Sequence, residues 1–179
     1  MNLPNKLTIV RVLMIPFFLF FLWMQNIPGN QWIALVIYVA ACLTDTLDGY
    51  LARRDNLITD FGKFMDPLAD KLLVSSAMIA FVELGLLPAW IVIVIISREF
   101  IISGFRLIAS DNGVVIAASY WGKVKTVVQM IMTILLIVNI SALKILNHIF
   151  IYASVLLTVV SLVDYLWKNK QIIMEGSDK

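Results

Sequence analysis

Histidine and cysteine are almost absent from this chain: its 179 residues contain one of each, His148 and Cys42. A lone cysteine excludes an internal disulfide, and the two together cannot supply the thiolate and imidazole sets that hold zinc. Charge is scarce as well. Asp, Glu, Lys and Arg make up 15% of the residues, against about a quarter in ordinary soluble domains. There is no polar linker and no low-complexity tract, and with a net charge of only +2 no nucleic-acid partner is expected. What fills the chain is apolar: 61% of residues are hydrophobic and the mean hydropathy is +0.92.

The apolar residues fall into six stretches, Val12–Gln25, Trp32–Leu51, Phe64–Phe81, Pro88–Ala109, Val124–Ile140 and Ile149–Trp167. Most approach the ~20 residues that cross a ~30 Å hydrocarbon layer. Six such segments leave too little polar surface to cover a soluble domain. The expectation is an all-α polytopic membrane protein with six transmembrane helices, a short N-terminal interfacial segment and a single domain over residues 1–179. The first stretch follows Lys6 and Arg11 as a signal peptide would. No small-x-small cleavage site lies in Met24–Asn30, however, so it is read as a retained helix. With the N-terminus inside, 13 of the 14 Lys and Arg residues fall on the inner side and only Lys144 lies outside. The positive-inside rule then puts both termini in the cytoplasm. Trp23, Trp32, Trp90, Trp121 and Trp167 sit near stretch ends, as an interfacial belt would, and Phe17, Phe18, Phe20 and Phe21 read as a lipid-facing surface.

The informative residues are the ionisable ones inside the stretches, since each costs ~2.5–3.5 kcal/mol near a helix centre. Asp45, Asp48, Asp66 and Asp70 gather near the inner ends of the second and third stretches. Asp45 and Asp48 are i, i+3; Asp66 and Asp70 are i, i+4; each pair therefore shares a helix face. A short turn between the helices lets four carboxylates converge. Oxygen donors without His or Cys suit a hard cation such as Mg²⁺, Mn²⁺ or Ca²⁺. Two ions in such a cluster serve displacement at phosphorus. Gly49, Ala52 and Gly62 leave room for a bulky ligand or for close helix packing, and Arg53 can grip a phosphate with two nitrogens.

As a string, the segment reads Asp45-x-x-Asp48-Gly49-x-x-Ala52-Arg53, eight residues, then Gly62-x-x-x-Asp66-x-x-x-Asp70. All eight fixed positions match the defining motif, and the chain resembles the CDP-alcohol phosphotransferase family along its whole length. The resemblance implies transfer of a phosphatidyl group from a CDP-linked lipid to an alcohol, with release of CMP. It implies that Asp45, Asp48, Asp66 and Asp70 hold divalent metal, Mg²⁺ or Mn²⁺ and two ions. Asp70 is also the base that takes the acceptor's proton. Gly49, Ala52, Arg53 and Gly62 match positions that receive the CDP-lipid, and Thr59 falls where the family often has a hydroxyl near the nucleotide. Asn5 and Thr8 are candidates to touch the nucleotide, with capping of a short interfacial helix as the alternative. Homodimers are a further property that the resemblance implies.

Three more segments look like the phosphatidylglycerophosphate synthase branch of that family. They are Asn2 to Arg11, Ser97-Arg98-Glu99-Phe100 continuing to Ser103-Gly104-Phe105-Arg106, and Gly122-Lys123-Val124-Lys125-Thr126 with Gln129. The acceptor expected for that branch is sn-glycerol 3-phosphate, the donor CDP-diacylglycerol. An acceptor carrying its own phosphate needs a second anion site, which Arg98, Arg106, Lys123 and Lys125 could supply; snorkelling anchors are the other reading of these four. Adjacent on a helix, Arg98 and Glu99 are expected to point apart and to find separate partners. Inositol phosphate is the alternative acceptor. From another class, a divalent-cation transporter would also use intramembrane acids. It should spread them over several depths, whereas here Glu83 is the only acid near the outer face.

Overall fold

A computed structural model describes residues 3–24, 26–54, 60–111, 116 and 119–170. Among these there is no strand. Six helices follow in order: α1 (Leu3–Trp23), α2 (Asn30–Arg54), α3 (Asp60–Glu83), α4 (Ala89–Asp111), α5 (Tyr120–Val138) and α6 (Lys144–Lys168), with one 3-10 turn at Ser141–Leu143. Each apolar stretch of the sequence lies largely within one of them. By length and composition, α1, α5 and the turn running into α6 are apolar enough to cross a membrane. In α2 the apolar part is shorter, Asn30–Asp45. The difference comes from charge: the C-terminal end of α2 carries Asp45, Asp48, Arg53 and Arg54, and α3 and α4 are interrupted in the same way.

The N-terminus departs from expectation. Among the described residues no break sets an interfacial segment apart from the first span: α1 runs unbroken from Leu3 and takes Pro16 into its interior. One buried stripe explains it. Asn5, Thr8, Arg11, Ile15, Phe18 and Leu22 are all buried and recur every three or four residues along one face. The first three are polar and continue the helix because they have partners inside the fold. Phe18 is therefore core, not lipid-facing, with its ring 5.6 Å from that of Tyr38; Phe17 and Phe20 are exposed.

The chain divides into two compact units, Met1–Leu87 with Leu136–Asn139, and Pro88–Leu135 with Ile140–Lys179. In the first, α1 is the hub. Among the described residues it packs along both α2 and α3, which touch each other at fewer points. The far end of α3 is closed by Gly85 at φ +70°, with Leu86 N–H bonded to Phe81 C=O at 2.8 Å and Gly85 N–H to Val82 C=O at 3.0 Å. That pair of bonds satisfies carbonyls the helix leaves open, and the left-handed backbone it needs favours glycine. In the second unit α4 packs against α6. The inner stripe of α6 is Asn147, Ile151, Ser154, Thr158, Ser161 and Tyr165. Small hydroxyl residues let the helices approach closely. Thr158 and Ser161 donate back into their own helix, to Ser154 C=O at 2.6 Å and Thr158 C=O at 3.0 Å, so burying these two hydroxyls costs little.

Candidate active site

Two side chains of α1 reach the acids. Arg11, fully buried, places Nη1 2.7 Å from Oδ1 of Asp45, whose own side chain is 41% exposed. One turn earlier Thr8, also fully buried, donates its hydroxyl to Oδ1 of Asp66 at 2.5 Å. Thr8 and Arg11 are i, i+3 on the face that α1 turns inward, so one helix grips an acid on each of the other two. Asp70 is exposed, one turn along α3 from Asp66. Asp45, Asp66 and Asp70 thus occupy one region of the first unit, brought together mainly through α1.

The remaining sequence candidates are placed less fully. Asp48, Gly49, Ala52 and Arg53 lie on α2 and Gly62 on α3, but their side-chain surroundings lie outside the described residues, as does Thr59 altogether. Among the described residues no group of three His, Cys, Asp or Glu side chains is arranged to hold a metal ion. The donor chemistry still suits a hard cation, since it is all oxygen and the Asp45 side chain is part-exposed. His148 takes no part, since its Nδ1 lies 2.7 Å from Lys144 C=O at the start of α6.

Arg11 was missed as a site residue when the sequence was read for charge alone. The signal lay in the i, i+3 stripe it shares with Thr8 and in its depth within the helix. The structure also moves Thr8. Its hydroxyl holds a carboxylate and does not cap a helix, because α1 has already begun at Leu3. Thr8→Val keeps the branched shape and removes the donor. It is expected to lower turnover by roughly tenfold through loss of a charge-assisted hydrogen bond. The helical circular dichroism of the purified variant should be unchanged.

The four basic candidates form two classes. Arg98 and Lys125 are buried, whereas Arg106 and Lys123 are exposed. Contrary to expectation, Arg98 and its neighbour Glu99 do meet, Nη1 to Oε1 at 3.0 Å. The cause is Lys125 of α5, whose Nζ stands 2.5 Å from the same oxygen and draws the glutamate over.

A model of the CDP-alcohol phosphatidyltransferase family matches residues 1–160. The chain belongs to that family and is a membrane enzyme of phosphatidyl transfer. Among similar curated proteins, the Bacillus subtilis CDP-diacylglycerol–glycerol-3-phosphate 3-phosphatidyltransferase is 42% identical, covering 94% of this chain and 95% of its own length. The Haemophilus influenzae enzyme of the same name is 39% identical, with 98% and 97% covered. A probable phosphatidylglycerophosphate synthase of Mycobacterium tuberculosis (strain H37Rv) is 40% identical, with 92% and 79% covered.

Proposed function

We propose that this chain transfers the phosphatidyl group of CDP-diacylglycerol to sn-glycerol 3-phosphate, giving phosphatidylglycerol phosphate and CMP. The observation that carries the reading is similarity at 39–42% identity, over nearly the full length, to two curated enzymes of that name. Asp45, Asp48, Asp66 and Asp70 would hold the divalent metal, two ions of Mg²⁺ or Mn²⁺. Bound there, the metal neutralises charge on the pyrophosphate. The chain's own residues do the rest. Asp70 accepts the proton of the acceptor hydroxyl, whose oxygen then attacks the phosphorus bearing the diacylglycerol as the bond to CMP breaks. Thr8 and Arg11 fix Asp66 and Asp45 from behind. Gly49, Ala52, Arg53, Thr59 and Gly62 would receive the CDP-lipid, as their places in the motif suggest, and Asn5, on the inward face of α1, would join them. Arg98, Arg106, Lys123 and Lys125 face the phosphate of the acceptor.

In this reading residues 1–179 form one domain of six spans, working as a homodimer in the cell membrane. The acids lie at the cytoplasmic rim with both termini on that side. The charge asymmetry of the sequence supports the orientation.

Purified protein supplied with CDP-diacylglycerol, labelled sn-glycerol 3-phosphate and Mg²⁺ or Mn²⁺ should release CMP, and a chelator should stop it. Faster release with inositol phosphate would reassign the acceptor. Cation flux through proteoliposomes without CMP release would make the protein a transporter. Arg106→Ala is expected to raise the KM for the acceptor several-fold and to leave that for the CDP-lipid nearly unchanged. Equal effects on the two constants would remove Arg106 from the acceptor site.

A further inference from the structure

Arg98 and Lys125 are 7% and 2% exposed, two cations taken almost wholly out of solvent in the second unit. Glu99 Oε1 is the counter-ion the two share, at 3.0 Å and 2.5 Å. The trio holds two positive charges and one negative. A phosphate bound here needs a guanidinium donor that is still unpaired. The guanidinium also shows where that anion would sit. Arg98 Nε is buried and has no hydrogen-bond partner among the described residues. Its Nη2 lies against Gly122, 3.3 Å from where a Cβ would stand. A residue other than glycine at 122 would push the guanidinium aside.

We infer that Glu99 is a positioning residue for the acceptor's phosphate: bonded to both Lys125 and Arg98, it turns Arg98 so that the unused guanidinium donor faces the incoming anion, with Gly122 providing the clearance. This inference rests on the acceptor assignment above and adds a carboxylate to a site built for a negative ligand. An acid there looks wrong by charge alone. Its effect is nevertheless favourable. Without it the guanidinium loses the oxygen that fixes its direction, and the fork that reads phosphate can swing away. With it Arg98 keeps one direction for the incoming dianion. Glu99 does not touch the substrate. It acts through Arg98 and Lys125.

The test uses the full-length protein and CMP release, varying each substrate in turn. Glu99→Gln keeps the shape and the accepting oxygen but removes the charge. It is expected to raise the KM for sn-glycerol 3-phosphate by about tenfold while the KM for CDP-diacylglycerol stays within about twofold. Gly122→Ala should act in the same direction more weakly, about threefold, because the far end of an arginine can yield part of the way. Inorganic phosphate, as a competing anion, should inhibit Glu99→Gln at higher concentrations than it needs for the unaltered chain. A structural role alone would lower kcat or stability without this split between the two KM values, and that result overturns the inference. If Arg98→Gln raises the acceptor KM but Glu99→Gln does not, Glu99 is no positioning residue and the acceptor assignment stands. If Arg98→Gln leaves it unchanged while the unaltered chain turns over, Arg98 is not in the acceptor site and the inference falls, while the proposed reaction stands. No CMP release from the unaltered chain with this acceptor overturns the proposed reaction itself.

Discussion

Asp70→Asn is expected to cut CMP release by about a thousandfold, within the range that a positioned general base contributes. Asparagine preserves the size of the side chain and its ability to accept a hydrogen bond, but it cannot take up the acceptor's proton. The position favours a clean comparison. Asp70 is exposed on α3, and the change keeps the shape of the side chain and one accepting oxygen. The thermal midpoint of the purified variant should therefore match that of the unaltered chain within a few degrees. Single-turnover measurements at saturating substrates locate the defect, which should lie in the chemical step and not in binding of the CDP-lipid. Retention of more than a tenth of the activity would show that another group, or water, takes the proton.

Arg11 gives the second large effect, and two opposing contributions must be weighed. Its positive charge beside Asp45 repels a cation, so removing it should tighten metal binding. It also fixes the direction of the carboxylate at 2.7 Å, so removing it should loosen the site. Partners that orient metal ligands from behind typically contribute 10–100-fold to affinity or activity. The repulsion is reduced because Asp45 is 41% exposed and water screens that side. Orientation should win. Arg11→Met is expected to weaken Mn²⁺ binding about 30-fold, with activity falling in parallel. Arg11→Lys, which restores the charge but not the planar fork, should recover only part of the loss. The same exposure lets water take the place of the missing guanidinium on Asp45, which limits the loss of stability to the order of 1 kcal/mol. Tighter Mn²⁺ binding in Arg11→Met would mean that the arginine competes with the ion.

Much of this arrangement was legible in the sequence, for physical reasons. Length and apolar content located the six helices, because a bilayer allows few alternatives to a helix for an apolar run of that size. The acids stood out because carboxylates within apolar stretches are costly. Helix ends were less accurate. Asn5, Thr8 and Arg11 looked like a polar segment ahead of the first span, yet α1 includes them because Asp66 and Asp45 receive the latter two. Thr8 and Asp66 are 58 residues apart, a distance over which hydrophobic period carries no information. Phe18 was misplaced by reading four phenylalanines as one surface. The spacing from Arg11 through Ile15 to Leu22 puts Phe18 on the inward face instead. Adjacent residues on a helix were assumed to diverge, but Glu99 bends toward Lys125 on another helix and meets Arg98 on the way. Such meetings depend on tertiary partners that a local rule does not contain.

The claim on which the rest depends is that α1 holds the carboxylates of α2 and α3 together as one cation site. Equilibrium Mn²⁺ binding, followed by the loss of the free-ion electron paramagnetic resonance signal, tests it most directly. The full-length protein should bind two equivalents, and the variant with Asp45, Asp48, Asp66 and Asp70 all changed to Asn should bind none. Unaltered Mn²⁺ binding in that variant would place the cations elsewhere and contradict the account.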